Sequence, residues 1–106
     1  SLETEKTRHL IDAYIQLTRE ILPSLALSSR KDWPVREDHC FQRIVLDTIC
    51  NGVWSAHLDR PAYKHLTHDQ AQQAVALCHE IVDGRADLRQ LNNKSLFWRG
   101  KRCAQF

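Results

Sequence analysis

The stretch "THDQAQQAVALCHEIVDG", residues 67–84, carries a complete helix signature, and the rest of the chain is read outward from it. Thr67 followed by Gln70 is a capping box. The threonine oxygen accepts the Gln70 backbone N–H, and the glutamine side chain reaches back to the cap. Ala71, Ala74, Val75, Cys78, Ile81 and Val82 recur three and four apart, which puts them on one face of a helix. Gly84 is the expected left-handed stop. The same period runs through residues 4–22, where Leu10, Tyr14, Leu17 and Ile21 form a stripe widened by Ile11, Ile15 and Leu22. Pro23 should end or kink that helix, with a further turn beyond it in "SLALSS". Asp38 is the expected N-cap of another helix, whose inward stripe is Phe41, Ile44, Val45, Ile49 and Val53. Gly52 reads as a helix glycine or as an interruption, and Pro61 limits this element. A last helix starts near Asp87 on Leu88 and Leu91 and either breaks around Asn92 or continues through Phe97. No stretch shows strand alternation. The fold class is all-α, a single-domain bundle of three to five helices.

The 106 residues argue for one domain over 1–106. Hydrophobic residues make up 42% and charged residues 26%, an ordinary globular composition, and the formal charge of +2 is too small to imply nucleic acid by itself. The chain has no methionine, so residues 1–3 are expected to be an expression scar, a processed end or the start of a piece of something longer. Residues 101–106 are expected to be a mobile tail. The cysteines at 40, 50, 78 and 103 are widely spaced, and three of them fall on apolar helix faces. They read as reduced core thiols, which points to a cytoplasmic protein. No apolar run is long enough to span a membrane.

Candidate chemistry concentrates in three places. On the helix after Asp38, the residues His39, Arg43, Asp47, Asn51 and Trp54 fall on one stripe beside the apolar one. The plain reading is an Arg43–Asp47 pair with solvated neighbours. The sharper one is a groove floor, where Arg43 clamps an anion, Asp47 orients Arg43, His39 moves a proton and Trp54 stacks on a flat ligand. Cys40 sits at a helix start, where a thiol can become nucleophilic. Adjacent helical residues point about 100° apart, so His39 is a poor base for it. The second place is "DRPAYKHLTHD", residues 59–69. Arg60, Tyr63, Lys64, His65 and His68 lead into a helix N-terminus there, either as a solvated loop with Tyr63 and Leu66 as a lid, or as an anion-binding loop facing Arg43. The third is "SLFWRGKRCAQF", residues 95–106, where Trp98, Arg99, Lys101 and Arg102 mix aromatic and basic character. Ligand pairs with zinc-site spacing are absent, so no metal or cofactor is expected.

"WPVREDHCFQRIVLD", "RPAYKHLT" and "LNNKSLFWRGK", spread over residues 33–101, resemble a group of small bacterial proteins sometimes labelled acetyltransferase-related. The Gly-rich pyrophosphate loop by which acetyltransferases hold coenzyme A has no counterpart here, because the glycines are Gly52, Gly84 and Gly100 alone.

Four functions compete on these residues. The first is a binding module for an anionic small molecule or acidic protein surface, using Arg43, Trp54, Arg60, Tyr63, Lys64, Trp98 and Arg99. It requires Arg43, Arg60, Lys64 and Arg99 to share one concave face. The second is a small enzyme with a His39/Asp47 or Cys40 site. The third is nucleic-acid binding through the basic C-terminal segment, and the fourth a helical interaction or oligomerisation protein.

Overall fold

In the computed structural model, which describes residues 1–101, the elements are helical and no strand is formed among them. Helix α1 (Leu2–Gln16) runs without interruption through a π-helical turn (Leu17–Ile21) into α2 (Leu22–Leu27). After a connection come α3 (Asp38–Cys50), two short 3-10 turns (Trp54–Ala56 and Ala62–Lys64), α4 (His68–Val82) and α5 (Leu88–Trp98). The chain is thus an all-α single-domain bundle, as the periodicity predicts.

The π turn is where sequence and structure part company over Pro23. Proline has no N–H to give the carbonyl four residues back and its ring crowds that carbonyl. The helix nevertheless continues. The Leu22 N–H bonds to the Leu17 carbonyl, five residues back, so the wider winding sits just ahead of Pro23. Thr18, fully buried in this turn, gives its hydroxyl to the Tyr14 carbonyl at 2.9 Å.

The expected ends of α4 and α5 are both present. Thr67 and Gln70 make the reciprocal capping box, and Asp87 caps α5 by accepting from the Gln90 N–H at 3.1 Å. At the start of α3 the cap moves by one residue. Glu37 occupies the N-cap and Asp38 is the first helical residue, its carboxylate accepting the His39 N–H at 2.6 Å. Helix α3 stops at Cys50 because Asn51 turns left-handed (φ 54°), so Val53 lies outside the helix. The Asn-Gly pair is a terminator, not a helix interior. Asparagine takes the strained position, which its short polar side chain tolerates. Helix α5 runs through Asn92 without a break.

Helix α3 is central, packing on the π turn, α2, α4 and α5, while α1 lies along α4. Its inward residues Phe41, Ile44 and Val45 are fully buried, together with Leu22, Ala71, Ala74 and Cys78 from its neighbours. Between α1 and α4, Thr7 Oγ1 meets His68 Nδ1 at 2.9 Å. Trp33, in the connection, packs its ring edge-on to Phe41 with centroids 5.8 Å apart. Cys40, Cys50 and Cys78 are free thiols, two of them half-buried and Cys78 buried. Cys103 and the expected tail lie outside the described residues, apart from Lys101, which is exposed.

Three consequences are measurable by urea denaturation. Gly84 holds φ +78° with open space around it, so Gly84→Ala is expected to cost the backbone penalty alone, about 1–2 kcal/mol. Gly52 is not left-handed, and an added Cβ would sit at an ordinary 3.7 Å from His57 Nε2. Gly52→Ala is therefore expected to be neutral or to stabilise by about 0.5 kcal/mol. Burial pushes the Cys78 thiol from its ordinary 9.0 up to about 12, and burial pushes the Tyr14 hydroxyl upward too. The folded chain then holds protons that the unfolded chain releases. Stability is expected to be flat below pH 9.0 and to fall as pH rises from there toward about 12, on the order of 1 kcal/mol per pH unit.

Candidate functional site

Asp47 organises this half of the molecule. Its side chain is fully buried on α3. Arg99 forks onto it, with Nε 2.8 Å from Oδ2 and a terminal nitrogen 2.9 Å from Oδ1. Ser95 Oγ donates to Oδ2 at 2.7 Å, and the Trp54 backbone N–H donates to Oδ1 at 2.9 Å. Burying an ionised carboxylate costs several kcal/mol unless charge and hydrogen bonds answer it, and here both do. The pairing raises the Arg99 guanidinium above its ordinary range.

Arg43 is linked to this carboxylate through an intermediary. It donates to Ser95 Oγ at 2.7 Å and to Asn92 Oδ1 at 2.7 Å. Ser95 thus accepts from Arg43 and donates to Asp47. The predicted Arg43–Asp47 pair is replaced by Arg99–Asp47, with Arg43 held on the neutral groups of α5. The physical reason is the placement of α5: its inward side presents Asn92, Ser95 and Arg99 to α3, and the fork geometry of Arg99 fits the carboxylate. Burial lowers the Arg43 guanidinium below its ordinary range, and the Arg99 charge adds to that. The Arg43 side chain is half-buried.

Beside Arg43 opens a cavity of about 530 Å³, floored by α3 and walled by the π turn and the segment Arg60–Tyr63. Of the residues expected at a site, Arg43, Trp54, Arg60, Tyr63 and His39 line it. Arg19, Gln42, Tyr14 and Leu46 complete the lining together with Pro61 and Ala62, and no carboxylate is among these residues. The Arg60 guanidinium carbon lies over the Trp54 ring, 4.8 Å from its centroid. Gln42 Nε2 donates to Thr18 Oγ1 at 3.2 Å, which ties the floor to the π turn.

Other expected residues lie elsewhere. Lys64 is exposed and borders a second groove, along α1 with Arg8 and Asp12. Trp98 is half-buried at the end of α5 and does not line the cavity. Arg99 is committed to Asp47. The set Arg43, Arg60, Lys64, Arg99 therefore does not share one concave face; the set that does is Arg19, Arg43, Arg60. The N-terminus of α4 is filled by its own capping box, and His68 is engaged by Thr7. His39 sits at the cavity rim with its side chain 71% exposed, 3.5 Å from Glu37 and 3.6 Å from Asp38. Asp47 is more than two helical turns further on and already partnered, so the two do not form a dyad. Cys40 lies on the turn before Arg43, half-buried.

Among the described residues, no three His, Cys, Asp or Glu side chains come together as a metal set, and no helix is long and apolar enough to cross a membrane. No family model, curated protein or solved structure matches the chain.

Removing the carboxylate leaves the buried Ser95 and the partly exposed Arg99 without their acceptor. Asp47→Ala is expected to cost about 3 kcal/mol in urea denaturation, the lower end for one partner lost from a buried pair, because Arg99 can turn toward water. Arg60→Gln, at an exposed position, is expected to stay within about 0.5 kcal/mol of the parent.

Proposed function

We propose that this chain is a small helical binding module for an anionic ligand, which docks in the cavity on α3. The observation that supports the reading is that three arginines, Arg19, Arg43 and Arg60, line one cavity whose lining holds no carboxylate. They come from the π turn, from α3 and from the loop before α4. The whole chain carries a formal charge of only +2, so this is a local concentration of charge and not a general basicity. An anion in that cavity could take charge-assisted hydrogen bonds from these side chains. Arg43 is half-buried, which reduces the water that competes for its charge. Asn92 and Ser95 hold the Arg43 side chain in place before any ligand arrives, which lowers the ordering cost of binding.

The test is a titration of the chain with inorganic phosphate and with citrate at low ionic strength, monitored by NMR at the Trp54 indole N–H. Saturable shifts are expected, weakened about tenfold by Arg60→Gln, the loss of one charged hydrogen bond. Arg8→Gln, outside the cavity, is expected to leave them unchanged. If neither anion moves the Trp54 signal, the reading fails.

A further inference from the structure

Resting on that reading, we infer that the ligand is a nucleoside monophosphate, held as a free small molecule with its phosphate among Arg19, Arg43 and Arg60 and its base against the aromatic wall. Charge is the first argument. A carboxylate brings one negative charge and two oxygens, which leaves at least one of three guanidiniums unanswered in a half-enclosed space. A phosphate monoester carries close to two negative charges at neutral pH and presents three strong acceptor oxygens. Guanidiniums suit such a group because their planar forks match its oxygens.

Size is the second argument. A cavity of about 530 Å³ lies within the range of about 300–1,000 Å³ that holds drug-sized organic ligands. An inorganic anion alone would leave most of it filled with water. The rest of the ligand must therefore fill the remaining space.

Aromatic lining points the same way. The same cavity is lined by Trp54 and Tyr63, both half-buried rings with surface left to offer. Bases stack on aromatic rings and on guanidinium planes, and here Arg60 lies over the Trp54 ring, so ring and cation stand together. Gln42 places a side-chain amide on the floor, fixed at Nε2 by Thr18, the kind of group that hydrogen-bonds a base edge.

The free nucleotide is favoured over a nucleic-acid chain by the distribution of charge. A chain of phosphates needs a basic track leading away from the site, whereas these arginines line one cavity and the neighbouring groove along α1 has Asp12 in its lining beside Arg8 and Lys64.

Calorimetry on the full chain decides the matter with five probes: adenosine monophosphate, adenosine, inorganic phosphate, benzoate and a short single-stranded oligonucleotide. Adenosine monophosphate is expected to bind about tenfold or more tightly than inorganic phosphate, the gain of one stacked base, and more tightly than adenosine or benzoate. Arg19→Gln and Arg60→Gln, both at exposed positions, are each expected to weaken it about tenfold, and circular dichroism confirms that each variant is folded. Equal affinity for inorganic phosphate and the nucleotide would overturn the nucleotide assignment and leave the anion site standing. Tighter binding of benzoate would do the same. Nucleotide binding insensitive to both variants would overturn the assignment by placing the ligand elsewhere. Tighter, steeply salt-dependent binding of the oligonucleotide would overturn the free nucleotide in favour of a nucleic-acid chain. Failure of every probe would remove the anion site itself.

Discussion

A carboxylate with no access to water, that of Asp47, is the constraint on which this half of the molecule depends. Four donors converge on it, two from Arg99, one from Ser95 and one from the backbone of Trp54. Those donors belong to two segments that otherwise have little reason to meet α3 in register. Helix α5 and its C-cap are bound by two side chains, and the loop after α3 by its main chain. Hydrophobic contact is non-directional and would allow α5 to slide or roll by a fraction of a turn. A buried, bidentate ion pair with a hydroxyl beside it permits one placement.

The cavity inherits that placement. Arg43 is anchored by Asn92 and Ser95, so its position depends on α5 as much as on its own helix. Trp54 is anchored by its N–H on Asp47, and Arg60 lies on Trp54. Two of the three cations are therefore fixed, at one or two removes, by the same carboxylate. Arg19 comes from the opposite wall, where Thr18 and Gln42 tie the π turn to α3. A ligand site on a scaffold of this size needs its charged groups held before binding, since each long side chain ordered on binding costs about 0.5–1.5 kcal/mol.

What is legible in the sequence is local. The capping box at Thr67, the left-handed Gly84, the Asp87 start and the apolar stripes each depend on residues within a few positions of one another, and the all-α class comes from them. Features decided by tertiary contact are much less visible. The stripe His39, Arg43, Asp47 suggests an ion pair along α3, because neighbours on one helix can be seen in the sequence. Arg99, which takes the carboxylate instead, is 52 positions from it in the chain. Arg19 escapes notice for the same reason: nothing near it in sequence announces that the π turn faces Arg43. Arg60 and Tyr63 stand out because proline, aromatic and cation crowd one turn, and crowding of that kind is local. Asn51 does carry a readable signal. Asn-Gly after an apolar helix is a terminator by backbone preference, and the stripe continuing to Val53 obscures it.

The π turn bears on how this chain can change length. A helix wound one residue wider than normal carries, in effect, a position in excess. Tyr14 and Leu22 are eight residues apart, and ordinary winding at about 100° per residue would leave them roughly 80° off a common face. Both are nevertheless buried, because the wider turn absorbs the extra step. Losing a single residue between Leu17 and Ile21 would let the rod return to ordinary winding with the two side chains still turned inward. The same loss within α1 would swing the stretch ahead of it by about 100° and carry its apolar stripe away from α4. Descendants of this sequence can thus shed a residue in the first rod at one place without forfeiting the core, and that place is the turn that supplies Arg19.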